Sequence, residues 1–235
     1  MRIALRLLIL GTLVFAVISC GGSNGDDAAV VRDIVAASGD AKMLYENEYV
    51  TVVEFEVDSG DRLPGYAYDH HTVYTLSSYE MESGSGEERS KEKFRQGSAY
   101  WPEAGTYSVK NVGKNDAKYI AVTRKSAKLP DFEPVVPDVD VTAIAADNTV
   151  ILLNNECMRV IEVILNPGQQ LPGHDGVNRV VYSLTSYELE YRSGQMDRSN
   201  VTFDEGDVNW YEAGQYSVAN ISDSPARFII FEFLE

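Results

Sequence analysis

Pro167-Gly168-Gln169-Gln170-Leu171-Pro172-Gly173-His174 runs on into Arg179-Val180-Val181-Tyr182. An earlier version, Ser59-Gly60-Asp61-Arg62-Leu63-Pro64-Gly65-Tyr66, runs on into Thr72-Val73-Tyr74. In each, the Gly and the Leu-Pro-Gly predict two turns with preset or positive φ, and the Val/Tyr run behind them is strand-prone. The copies differ at one position of chemical interest. His174 stands where the earlier copy has Tyr66.

The match extends outward in both directions. Asn47-Glu48 repeats as Asn155-Glu156, and Val73-Tyr74-x-Leu76-x-Ser78-Tyr79-Glu80 repeats as Val181-Tyr182-x-Leu184-x-Ser186-Tyr187-Glu188, at a constant offset of 108. After one inserted residue, Gly97-x-x-x-Trp101-x-Glu103-Ala104-Gly105-x-Tyr107-Ser108-Val109-x-Asn111 repeats from Gly206 to Asn220 at an offset of 109. A period this long, with strand signals throughout, means two tandem domains and not a solenoid of short repeats.

Each unit reads as all-β. Tyr49 to Val57 and Met158 to Leu165 are rich in β-branched and aromatic residues, with turn clusters at the spacing of a sandwich or small barrel. Only Ala29 to Ala37 has the makings of a short helix. Lys128 to Pro137 carries prolines at 130, 134 and 137, which makes it a stiff extended connector. The expected organisation is a first domain over 29–128, a linker over 129–136 and a second domain over 137–235.

The chain's 20 basic and 36 acidic residues give a formal charge of −16. That field repels a phosphate backbone, which excludes nucleic acid as a partner. The start is a leader: basic Arg2 and Arg6, an apolar run from Leu7 to Ile18, then Ser19-Cys20 and a Gly/Ser-rich stretch. It resembles a bacterial lipoprotein signal over 1–19, with Cys20 as the lipidated first residue and 20–28 as a flexible tether. That resemblance implies a lipid-anchored protein of the cell envelope. No Asp follows Cys20 directly, so the outer membrane, facing the periplasm or the exterior, is expected. With Cys20 acylated, Cys157 is expected to have no intramolecular partner and to act as a small buried hydrophobe.

The paired motifs resemble those of a bicupin, two cupin β-barrels in one chain. The family's first motif, G-x5-H-x-H-x3/4-E-x6-G, is approached by Gly168 and His174; its second, G-x5-P-x-G-x2-H-x3-N, by Gly206 to Asn220 and by Gly97 to Asn111. The resemblance implies an all-β fold of two tandem jelly-roll barrels (double-stranded β-helices) packed as a pseudo-dimer. It also implies where a metal would sit, and there the sequence departs. In the second copy only His174 survives; Gly176, Val180 or Val181, and Tyr216 take the other ligand places. In the first copy they are Tyr66, Tyr68, Thr72 or Val73, and Tyr107. One ligand does not make a metal site, so a divalent metal is disfavoured and no cofactor is expected. His174 and His70 are the metal candidates that remain, and His70 and His71 read more simply as loop histidines.

Barrel mouths lined by Tyr and Trp suit a small-molecule pocket. Tyr66, Tyr68, Tyr107, His174 and Tyr216 are its expected lining, with Arg179 at the rim to meet a carboxylate or simply solvated. The expected function is a non-catalytic envelope bicupin that binds a small molecule or a partner protein. The alternative is an enzyme: a metal-dependent oxygenase or isomerase with unusual ligands, or a metal-free isomerase or epimerase with His174 and Tyr216 as acid and base. Oligomeric state and ligand identity are left open.

Overall fold

The computed structural model describes residues 41–234 except 69, 86–87, 133–134, 136 and 195–197; the side chains of Pro64, Tyr66, Ala67, Tyr68, Ser85 and Tyr107 are also outside it. The leader, Cys20, the tether and the Ala29–Ala37 segment therefore lie outside the described residues.

The first repeat forms β1 (Ala41–Glu46), β2 (Val50–Val57), β3 (Arg62–Tyr68), β4 (His71–Thr75), β5 (Tyr79–Ser85), β6 (Glu88–Phe94), β7 (Ala99–Tyr100), β8 (Gly105–Asn111) and β9 (Ala117–Arg124). The second forms β10 (Thr149–Asn154), β11 (Met158–Leu165), β12 (Gln170–Gly176), β13 (Arg179–Ser183), β14 (Tyr187–Ser193), β15 (Ser199–Phe203), β16 (Val208–Tyr211), β17 (Gly214–Asn220) and β18 (Ala226–Phe233). The first set folds into sheets β1-β2-β9-β4-β7 and β3-β8-β5-β6, the second into β10-β11-β18-β13-β16 and β12-β17-β14-β15. Each repeat is thus a two-sheet jelly roll with the same strand order.

The five-stranded sheets are buried on both faces, and the period-2 alternation of side chains sorts their residues. On β2, Val53, Phe55 and Val57 enter the first barrel's own core. Val50 and Val52 turn the other way and join Met158, Val160, Val180, Phe231 and Phe233 in a core shared by the two barrels. Around it β1 lies against β16 and β10 against β7, a reciprocal exchange that follows from the duplication. Tyr74, Tyr182, Trp101 and Trp210 belong to this shared core.

The opening stretch also folds differently from the two-turn reading. Gly168 takes φ 77° in its turn, as Gly60 takes 94°. Leu171-Pro172-Gly173, however, continues inside β12, with a register shift between Leu171 and His174, and β3 shifts likewise between Leu63 and Tyr66. Proline has no ladder donor, and each strand is the edge of its sheet, where a bulge accommodates it. Beyond that turn, Asn220 is fully buried; its Nδ2 donates to Leu165 O and Ser224 O at 2.8 Å each, and Asn111 makes the matching bonds in the first barrel.

One helix escaped the sequence reading, α1 (Val141–Ile144), which follows the connector and is capped by Asp140. Cys157 is 5 % exposed and disulfide-bonded. The expectation that it stands alone is corrected; its partner lies outside the described residues.

Candidate functional site in the second barrel

Four side chains stand in register across the five-stranded sheet of the second repeat, on the face that looks into its own barrel: Arg159 opposite Glu232, Glu232 opposite Arg179, and Arg179 opposite Tyr211. One residue along each strand, Val160, Phe231 and Val180 face the other barrel instead. On the opposing sheet His174 pairs with Tyr216. The bulge at Pro172 sets the phase that turns His174 inward, and it is 6 % exposed.

Arg159 is the hub of the row. Its Nε donates to Glu232 Oε2 at 2.6 Å, and its Nη2 to Asp140 Oδ2 at 2.5 Å. Asp140 Oδ1 meanwhile accepts from Thr142 N at 2.9 Å, so the cap of α1 is tied to the barrel wall. Burial pushes the Asp140 carboxyl up, but hydrogen bonds from Arg159 and Thr142 outweigh it and hold the group below its ordinary value. Burial wins at Glu232, only 2 % exposed, whose carboxyl stays above its ordinary value despite Arg159.

Arg179 is 5 % exposed, which corrects both the rim and the solvated-surface expectation. Its guanidinium carbon lies 3.9 Å from the centre of the Tyr216 ring and 5.4 Å from that of Tyr211, and Nη1 donates to Val177 O at 3.0 Å. Tyr191 completes the cluster, with ring centres 5.9 Å from Tyr211 and 6.0 Å from Tyr216. The Tyr216 hydroxyl donates to Glu212 O. The structure therefore brings His174, Arg179 and Tyr216 together and adds Tyr191, Tyr211, Arg159, Glu232 and Asp140, none of which the motifs singled out.

His174 Nδ1 lies 2.9 Å from Pro172 O. A carbonyl only accepts, so Nδ1 carries the proton and Nε2 is left as an acceptor. Burial lowers the His174 pKa, and the bond to Pro172 offsets this only in part. Folding therefore makes His174 harder to protonate than in the unfolded chain, which takes up its proton below about pH 6.5. Stability from this group is therefore full above that pH and falls as the pH drops through it, by at most about 1.4 kcal/mol per pH unit. Melting curves from about pH 7.5 down to about pH 5.5 should show this fall, and His174→Asn should flatten it.

The first barrel is built differently. At the places of Arg159, Glu232 and Arg179 it has Thr51, Thr123 and His71, paired in the same register. His71 opens β4 and is 8 % exposed, so the loop reading fails for it. His70 stacks on Trp101 at 5.7 Å. The backbones of Tyr66 and Tyr107 are paired; the side chains of Tyr66, Tyr68 and Tyr107 lie outside the description. A concavity of about 450 Å³ opens between the barrels beside Tyr74, Gln96, Glu162 and Arg227. Its charges are already matched, with Arg227 Nη2 2.6 Å from Glu162 Oε1.

No protein-family model matches the sequence, and no curated protein sequence does. Solved structures do match. AerE from Microcystis aeruginosa aligns over 84 % of this chain and 94 % of its own at 12 % identity, with a TM-score of 0.61. A variant of oxalate decarboxylase from Bacillus subtilis aligns over 82 % and 71 % at 11 % identity, TM-score 0.60. A cupin 2 conserved barrel domain protein from Leptotrichia buccalis aligns over 82 % and 88 % at 13 % identity, TM-score 0.50. The fold is that of a bicupin.

A bicupin barrel raises the question of a metal, and the second barrel answers through Gly176. A Cβ built on Gly176, at the motif's second histidine, would lie 2.9 Å from Arg179 Cζ and closer still to Nη1. The Arg179 side chain fills the space a ligand there would need. With a fixed cation at that place and His174 as the one surviving ligand, the residues of the second barrel do not fit a divalent metal. Among the described residues no group of three His, Cys, Asp or Glu side chains is placed to hold one.

Proposed function

We propose that this bicupin is a lipid-anchored envelope protein that binds a small molecule in the mouth of its second barrel, and that the mouth is not a metal-catalytic centre. The observation that carries the reading is the buried Arg179 guanidinium against Tyr211 and Tyr216, in the space of a second metal ligand. A concave apolar-aromatic wall with a few fixed polar groups is the usual make-up of a ligand site. Of the acid–base pair in the enzyme reading, His174 keeps Nε2 as an acceptor, but the Tyr216 hydroxyl is engaged by Glu212 O. Anchoring rests on the leader and Cys20.

Chemical-shift mapping with a small-molecule library tests the binding reading. Binders should perturb His174, Arg179, Tyr211 and Tyr216 together. A library that leaves all four unmoved, or that acts only at the outer surface, would contradict it.

A further inference from the structure

Resting on the reading of the second mouth as a binding site, we infer that its ligand carries a carboxylate, received by the Arg179 guanidinium. A guanidinium has five N–H donors. Among the described residues this one makes a single hydrogen bond, to Val177 O, and no ion pair, although it is 5 % exposed. The acids nearby bond elsewhere: Glu232, which stands opposite Arg179 and feels its charge, and Asp140 both bond to Arg159, at 2.6 and 2.5 Å. Tyr216 and Tyr211 meet Arg179 through their rings and supply no acceptor for its edge. None of its nitrogens is among the described buried polar atoms that lack a partner, so its unbonded N–H groups are not sealed off, and a flat carboxylate matches such a fork with two parallel bonds.

The same surroundings set the charge of the guest. Asp140, Asp175 and Glu232 are close enough to His174 or Arg159 to enter their electrostatics, within a chain of net charge −16. Phosphate, mostly doubly charged at neutral pH, is repelled more strongly than a singly charged carboxylate. The first barrel has His71 in place of Arg179, so one carboxylate site per chain is expected.

The test is calorimetric titration of the mature protein with acetate and benzoate, their neutral amides acetamide and benzamide, and inorganic phosphate, with His174 and Tyr216 followed by NMR. The acids should bind at one site per chain. Arg179→Gln should weaken them by at least about tenfold, and Arg179→Lys, which keeps the charge but not the fork, by less. Amides or phosphate binding as tightly as the acids would overturn the inference, as would unchanged affinity in Arg179→Gln. If Arg179→Gln does not fold, the acid–amide comparison on the unaltered protein and the lysine variant decide. Amides that move His174 and Tyr216 while the acids do not would sink the carboxylate and keep the pocket. No probe moving either residue would sink both.

Discussion

Arg159→Met is expected to lower the unfolding free energy by about 3–5 kcal/mol. The methionine fills much of the same volume, so packing is not the main loss. What it leaves is Glu232, 2 % exposed, without the guanidinium bonded to it at 2.6 Å, and Asp140 without its bond to the barrel wall. A buried carboxylate that loses its cation either pays its desolvation or takes up a proton. Adding Glu232→Gln to Arg159→Met removes that charge and should recover most of the loss. Urea unfolding of the two variants measures both effects. A loss below about 1 kcal/mol in Arg159→Met would mean that the row behaves like a surface ion pair.

Phe231→Ala should cost a similar amount, about 3–5 kcal/mol, and should be felt in both barrels. Phe231 is fully buried in the shared core, between Val160 and Val180 on the neighbouring strands of its own sheet. Val50, Val52, Ile120 and Val122 of the first barrel complete the same core. Trp101 and Trp210 pack against it, one from each barrel. Single-tryptophan variants, Trp101→Phe and Trp210→Phe, therefore report the two barrels separately. In the Phe231→Ala background both signals should shift to lower urea together. A shift of Trp210 alone would show barrels that unfold independently.

The fold was legible because it was written twice. Matching turn glycines at 60 and 168, matching strand motifs and an offset that changes by one residue between Asn47 and Asn111 make a two-barrel reading hard to avoid. What the motifs could not convey was which face each aromatic serves. Tyr74 and Tyr182 sit one residue from side chains that enter their own barrels, and the period of two sends them to the shared core instead. Leu-Pro-Gly looked like a turn because proline and glycine dominate turns; at a sheet edge the same residues make a bulge within a strand.

The mouth was half legible. His174, Tyr216 and Arg179 follow from comparison with a metal-binding motif, which looks only at the ligand places. Arg159 and Glu232 lie outside that motif. The available signal was elsewhere, in the difference between the copies. A basic and an acidic residue appear at facing positions of the second repeat, where the first has Thr51 and Thr123. Charges gained as a pair at facing positions imply a buried ion pair, and Arg179 in place of His71 adds the third member. Asp140 had no counterpart to compare, because the segment between the connector and β10 falls outside the repeated motifs.

The most direct measurement is the metal content of the mature protein, purified without refolding from metal-supplemented medium, beside a His174→Ala variant. With Arg179 in the place of a second ligand, iron, manganese, nickel and zinc should all be far below one equivalent in both samples. One equivalent of any of them in the unaltered protein, lost in His174→Ala, would contradict this account and place a metal where the guanidinium is said to lie.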